Sequence, residues 1–254
     1  MMAVSTDKSE PIVGSAPAGA RDQKAASLAV REMFTAIAPR YDLLNHVLSC
    51  NVDRLWWWRT ARRFRHILHR PEARVLDLCC GTGDMTLALA RQGKTLQAPI
   101  VGADFSHAML QRAAKKTAAR NIRLIEADAL ELPLPDARFD LVVSAFGFRN
   151  LANYDAGLRE IWRVLKPEGE VGILDFSEPK GLLGKIYSVY FRRVLPRIGG
   201  VISGVKGPYS YLPESVERFP EPGEMLERMR AAGFRDAVWK PYSFGIAGLF
   251  RAKK

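Results

Sequence analysis

After Pro71 the chain settles into a rhythm that admits few folds. Short runs rich in Val, Ile and Leu at 74–79, 99–104, 122–127, 139–145 and 170–176 read as strands, and segments at 84–92, 106–118 and 155–165 read as helices between them. Strands joined through helices lie parallel, because a right-handed crossover returns the chain to the same edge of the sheet. A helix over 222–232, stopped by Gly233, precedes two last strand-like runs at 234–240 and 245–252. Only Pro-Tyr-Ser-Phe separates that pair, so they are expected to close the sheet as an antiparallel hairpin. The expected fold is α/β, a mostly parallel sheet of seven strands with a terminal hairpin.

The remaining segments read differently. Residues 1–27, rich in Ala, Ser, Gly and Pro and without an apolar segment, are expected to form a disordered tail rather than a signal peptide. Residues 28–48 predict one or two short helices broken near Pro39, and 53–70 a helix in which Trp56, Trp57 and Trp58 alternate with Arg59, Arg62, Arg63 and Arg65. Between Pro179 and Pro220 the rhythm fails. This stretch carries Lys180, Lys185, Arg192, Arg193, Arg197 and Lys206 with no acidic residue from 180 to 206, and is expected to be an insertion lying over the site or against a surface. Cys79 and Cys80 have no companion ligands at metal-site spacing, and three cysteines in all suit a reducing compartment.

The ligand site is expected at VLDLCCGTGD, Val75 to Asp84, where Gly81 and Gly83 flank Thr82 between the first strand and the first helix of the core. Glycines there allow a tight turn and close approach of the backbone to a ligand. A dinucleotide site would want a third small residue at position 86, which is Thr86, and no P-loop Gly-Lys-Ser/Thr follows. Asp77, just before the loop, repels a pyrophosphate and suits a cation. Asp104 ends the second strand and is placed either for ribose hydroxyls or, in competition with Ser106, as a helix cap. Phe105 beside it serves an adenine face or the core. Asp128 with Ala129 follows the third strand, placed for an adenine amino group. Acidic residues therefore end three successive strands at the sheet edge where open α/β sheets bind ligands. S-adenosylmethionine, with its sulfonium and ammonium, fits that pattern.

On these residues the chain resembles class I S-adenosylmethionine methyltransferases, and over about residues 30–252 it resembles the family that C-methylates the quinone ring in menaquinone and ubiquinone biosynthesis. FTAIAPRYDLLNHVLS (34–49), SAFGFRN (144–150), RVLKPEGEVGILDFSEP (163–179), VLPRIGG (194–200) and SYLPESVERFP (210–220) carry the likeness. The chain departs from the family at Cys79 and Cys80, at Glu168, and at Ser243 and Phe244. The resemblance implies a Rossmann-like class I fold, with a helical cover over 28–72, a cofactor-binding core over 73–178, a substrate lid over 179–220, and residues 221–254 completing the core. It implies that Asp77, Gly81, Thr82, Gly83, Asp104, Phe105, Asp128, Ala129 and Ser144 hold the cofactor. Arg149 and Asn150 would face the acceptor ring, with an ion pair holding the lid as the other reading of Arg149. Asp84 would bind the methionine end or accept a proton through water, and Tyr41 would touch the ring or cofactor, or simply pack. Tyr209, Tyr211, Glu214, Ser215 and Arg218 would line the substrate mouth or a subunit contact in a homodimer.

No metal is expected. Demethylmenaquinol is the expected acceptor, with the benzoquinol precursor of ubiquinone, or another lipid or phenol, as alternatives. A formal net charge of +11 favours an anionic partner. A prenylated substrate suggests anionic membrane as that partner, with the basic-aromatic helix at 54–70 and the 180–206 insertion seated on it and a cytoplasmic protein peripheral at the inner membrane face; the equal alternative is that the Trp residues are core and the arginines an ordinary solvated face. Two other classes fit less well: an NAD oxidoreductase is opposed by Asp77, and a nucleic-acid-binding protein lacks an RNA module or zinc pattern.

Overall fold

The computed structural model describes residues 12–17, 19–42, 49, 51–179 and 208–254. Seven strands form one sheet: β1 Val75–Leu78, β2 Ile100–Asp104, β3 Ile122–Glu126, β4 Phe139–Ala145, β5 Leu165–Phe176, β6 Arg235–Tyr242 and β7 Ala247–Lys253. Their order is β3-β2-β1-β4-β5-β7-β6. Pairings among the first five are parallel, and β7 is antiparallel to both β5 and β6. This is the Rossmann-like architecture expected of class I methyltransferases, with its terminal hairpin. The chain runs outward through β2 and β3, then returns to the other side of β1 for β4. The reversal opens a crevice at the carboxyl ends of β1 and β4.

Burial follows the two-residue period of the strands. Val142, Val171 and Ile173 join one buried cluster, while Leu141, Val143 and Leu174 join another on the opposite face. On that second face lie α2 (Val52–Arg63), α3 (Arg65–Leu68) and α4 (Asp84–Gln92), contributing Trp56, Phe64, Leu68, Met85 and Leu89. On the first face lie α6 (Tyr154–Val164) and α8 (Pro222–Ala231), contributing Tyr154, Leu158, Ile161, Met225 and Met229. α5 (His107–Thr117) follows β2, and α7 (Pro208–Arg218) precedes α8.

Several boundaries differ from expectation. The supposed tail is ordered well before residue 28, since α1 spans Gln23–Ile37, started by Asp22, whose side chain accepts from Ala25 N at 2.8 Å. Ahead of it, Val13 N and Ser15 N donate to Ala152 O and Leu151 O at 3.2 and 2.7 Å. A cap followed by Ala26, Val30 and Ile37 on one buried stripe outweighs the polar composition. The single helix over 53–70 is two, because the chain turns at Phe64 (φ −101°, ψ 14°), whose ring is wholly buried. β5 begins at Leu165 rather than 170. Within the described residues of the 179–220 stretch α7 is helical, and the basic residues from Lys180 to Lys206 lie outside the described residues. Among the described residues no helix is long and apolar enough to cross a membrane.

Candidate active site

A cavity with about 980 Å³ of empty space, counting its open mouth, lies at the switch point. The ends of β1 to β4 supply its floor through Cys79, Gly81, Thr82, Asp104, Phe105, Asp128, Ala129, Phe146 and Gly147, and α1 and its continuation roof it with Ser27, Phe34 and Tyr41. Backbone crowding fixes the floor. A Cβ on Gly147 would stand 2.3 Å from Cys79 Cβ, so the loops after β1 and β4 approach as only glycine permits. Gly83, at φ +89°, would bring a Cβ within 3.3 Å of Thr117 on α5.

The charged residues lining the cavity are Asp84, Asp104 and Asp128. Asp104 accepts from Gly81 N at 2.8 Å and Ser106 N at 2.9 Å, so it holds the glycine loop and begins α5 as well as facing the cavity. Burial pushes its carboxyl up to about 6 against those bonds. Asp128 is exposed and accepts from Leu130 N at 2.9 Å. Asp77 is not among the lining residues. It lies fully buried beneath the loop, accepts from Thr86 Oγ1, and is pushed up to about 7 by burial. Its Oδ1 has no hydrogen-bond partner among the described residues. Ser144, also expected at the cofactor, is buried on β4 and likewise does not line the cavity.

Arg149, expected to face the acceptor, is buried and is not among the lining residues, whereas Asn150 is. Its Nη1 donates to Asp175 Oδ1 at 2.9 Å and to Phe146 O, and its backbone N donates to Asp175 Oδ2 at 3.0 Å. Tyr154 OH donates to its carbonyl at 3.0 Å, and its guanidinium lies 5.2 Å from the Phe176 ring centre. This buried ion pair joins the turn from Phe146 to Asn150 to β5, not to the lid of the other reading. Asp175 is raised by burial, with Arg149 opposing. Asn150 does line the cavity and accepts from Tyr211 OH at 3.1 Å, and Tyr211 is in turn bonded to Ser15. Tyr211 is therefore a buried support for Asn150 rather than a mouth residue. Ser215 is buried, Glu214 and Arg218 are exposed on α7, and the Tyr209 side chain lies outside the described residues.

The sequence profile of the ubiE/COQ5 methyltransferase family matches residues 19–254. The chain belongs to this family. A demethylmenaquinone methyltransferase of Deinococcus radiodurans is 49% identical over 241 residues, 94% of this chain and 97% of that one. A demethylmenaquinone methyltransferase of Thermus thermophilus is 48% identical over 220 residues, 85% and 97% of the two chains. A ubiquinone/menaquinone biosynthesis C-methyltransferase of Geobacter sulfurreducens is 45% identical over 230 residues, 89% and 88%. Among solved structures, a Thermotoga maritima S-adenosylmethionine-dependent methyltransferase superposes with a TM-score of 0.62 at 19% identity, covering 88% of this chain and 99% of that one. The [4+2]-cyclase SpnF gives 0.65 at 20%, covering 90% and 96%. Likeness at that identity shows the fold alone.

As a member of the ubiE/COQ5 methyltransferase family, the chain is a class I methyltransferase whose cofactor is S-adenosylmethionine. The residues fit it. Three carboxylates in the lining and a fourth beneath it, with an orphaned oxygen, suit a ligand carrying a sulfonium and an ammonium. Apolar Phe105, Met109, Ala129 and Leu130 flank the space next to Asp128 and suit an adenine.

Sequence reasoning missed four supporting residues. Asp175 ends β5 as Asp77 and Asp104 sit at the ends of β1 and β2, so the same edge argument would have found it. Tyr154, Ser15 and Lys116 carried no such signal. Lys116, in the last turn of α5, donates to Asp84 Oδ2 at 2.9 Å and Thr82 Oγ1 at 3.0 Å, and pairs with Asp42 at 2.9 Å.

Proposed function

We propose that the chain transfers a methyl group from S-adenosylmethionine to a ring carbon of a prenylated quinol, with demethylmenaquinol as the acceptor and menaquinol as the product. The observation that carries this reading is the division of one cavity into two kinds of wall. Acidic residues line the glycine-loop side, and Phe34, Tyr41, Trp57, Phe146 and Leu151 offer an aromatic and apolar side for a planar ring. The demethylmenaquinone methyltransferases among its relatives, similar over nearly their whole length, name the acceptor.

When bound, the cofactor supplies an electrophilic methyl group, and the acceptor carbon becomes nucleophilic once a ring hydroxyl is ionised. The C–C bond would form as the C–S bond breaks, and the ring carbon would then release its proton to solvent. The chain's part is chiefly alignment. Asp104 and Asp128 would fix the nucleoside. Asp84 is engaged by Lys116 and Thr82, which suits holding the ammonium end better than accepting a proton. Tyr211 donates to Asn150 Oδ1 and Asn150 Nδ2 donates to Phe146 O at 3.4 Å, so the remaining Nδ2 hydrogen would orient or stabilise the acceptor oxygen. Tyr41, edge-to-face with Phe34 at 6.0 Å, would close over the ring. Arg149 would act by holding the turn that bears Asn150.

The acceptor's tail resides in lipid, and the protein would reach it from the cytoplasmic side by a peripheral contact. The exposed face of α2 supports that contact, with Leu55 and Trp58 outward among Arg54 and Arg62. The deciding experiment follows methyl transfer from labelled S-adenosylmethionine to reduced demethylmenaquinol and, separately, to the demethylated benzoquinol precursor. Transfer to the naphthoquinol is expected. Transfer to the benzoquinol alone would move the enzyme to ubiquinone synthesis, and transfer to neither would discard the quinol assignment.

A further inference from the structure

Among the described residues Lys116 is the one cation in the polar network of the glycine loop, and three of its partners belong to two different parts of the molecule. Thr82 and Asp84 come from the loop and the first turn of α4, and both line the cavity. Asp42 comes from the N-terminal cover, directly after Tyr41, which also lines it. Lys116 Nζ lies 2.9 Å from Asp42 and 2.9 Å from Asp84, and Thr82 Oγ1 donates to Asp42 at 2.5 Å. The three charged side chains are 26%, 30% and 22% exposed, so solvent screens them only in part.

The other attachments of the cover to this side among the described residues are few, and one is the exposed ion pair of Arg31 with Glu126 at 2.5 Å. Ile37 and Ala38 bury themselves against Met109 as a small cluster of their own, and Thr35 Oγ1 meets Ser106 Oγ at 3.2 Å. A ligand as large as S-adenosylmethionine would lie between the glycine loop and the wall of Ser27, Phe34 and Tyr41, so the hold of that wall on the loop bears on how long the ligand stays. Without the ammonium, the carboxylates of Asp42 and Asp84 would face each other across Thr82 and repel.

We propose that Lys116 is a positioning residue for the cofactor, its ammonium latching Asp42 of the N-terminal cover to Thr82 and Asp84 of the glycine loop and so holding the cavity closed around S-adenosylmethionine. The proposal rests on the cofactor assignment and adds a residue that touches no reacting atom. Its mark is read without acceptor: closure governs how long the cofactor stays, and Asn150 and Tyr211 lie outside the latch.

The test is calorimetric binding of S-adenosylmethionine to the full chain, without acceptor, for wild type, Lys116→Met, Asp42→Asn and the double variant, alongside thermal unfolding without ligand. Lys116→Met is expected to weaken binding about tenfold, an effect that shrinks at high salt. Asp42→Asn should weaken binding similarly, and the double variant no more than either single one. Lys116→Arg should restore most of the affinity. Trypsin adds an independent reading, since S-adenosylmethionine should protect cleavage after Arg31 and Arg40 in wild type but not in Lys116→Met. Equal affinity in Lys116→Met, or a change in unfolding temperature alone, would overturn the latch while leaving the cofactor assignment standing. Failure of the wild type to bind would overturn both.

Discussion

Asp77 shows what burying a carboxylate does to a fold. Its ordinary value is 3.8, and burial holds it at about 7. The folded chain therefore keeps a proton that the unfolded chain has released. Its contribution to stability is full below about pH 4 and is lost as pH rises through about 7. Asp77→Asn keeps an acceptor for Thr86 and removes the ionisation. Without cofactor it should unfold at the same temperature as wild type near pH 4 and at a higher temperature at pH 8, while binding S-adenosylmethionine more weakly. A variant less stable than wild type at pH 8 would refute this account. Arg149 calls for the opposite expectation. Arg149→Ala strands the buried Asp175 and should cost about 3–5 kcal/mol in denaturant unfolding. Its loss of activity should therefore come with loss of cofactor binding, and a stable, cofactor-binding but inactive Arg149→Ala would return the residue to the acceptor. At this scale the sequence revealed which residue types gather at the sheet edge. It did not reveal which way they turn. Whether Arg149 meets substrate or Asp175 depends on β4 and β5 being neighbours, and residue spacing alone does not record that.

Among the elements, α2 carries two faces with different tasks. Trp56 and Phe64 are buried against the sheet, and Trp56 Nε1 donates to Ser243 Oγ at 2.9 Å, tying the helix to the turn between β6 and β7. Outward, Leu55 and Trp58 stand 48% and 43% exposed, and Phe244 on that same turn is 86% exposed. Arg59 lies over the Tyr242 ring at 4.5 Å and Arg62 over Trp58 at 5.0 Å, placing cations beside these apolar groups. Large apolar side chains among arginines suit the interface of an anionic bilayer. Replacing Trp58 and Phe244 together by Ser should reduce co-sedimentation with anionic vesicles while sparing transfer to a short-tailed, soluble acceptor. A wild type that ignores such vesicles at low salt would sink the idea. Here the strands were legible because Val and Ile runs alternate with turns, and the helix end at 92 needed only periodicity. The start of α1 was not, because a helix opening on Asp22-Gln-Lys-Ala-Ala looks like a solvated tail until its docking partner is known. The Ser15–Tyr211–Asn150 chain, whose hydroxyls are 196 residues apart in sequence, left no local trace either.

In the whole molecule, a basic protein encloses an acidic cavity. The formal net charge is +11, yet Asp84, Asp104 and Asp128 line the cavity, with Asp77 beneath. Placing the cavity at the strand-order reversal lets one sheet edge supply all of these carboxylates, while the return through β4 brings Phe146 and Asn150 to the opposite wall. A parallel sheet was legible in the rhythm of the chain. The division of labour between the two walls emerges only when the cover of α1 is folded over them. The charge of that cavity also bears on what happens after reaction. Donating its methyl converts the sulfonium to a neutral thioether, so the spent cofactor has lost a charge that the surrounding carboxylates attracted. The step that completes the reaction thus weakens the hold on what remains, and turnover is built into the sign of the cavity.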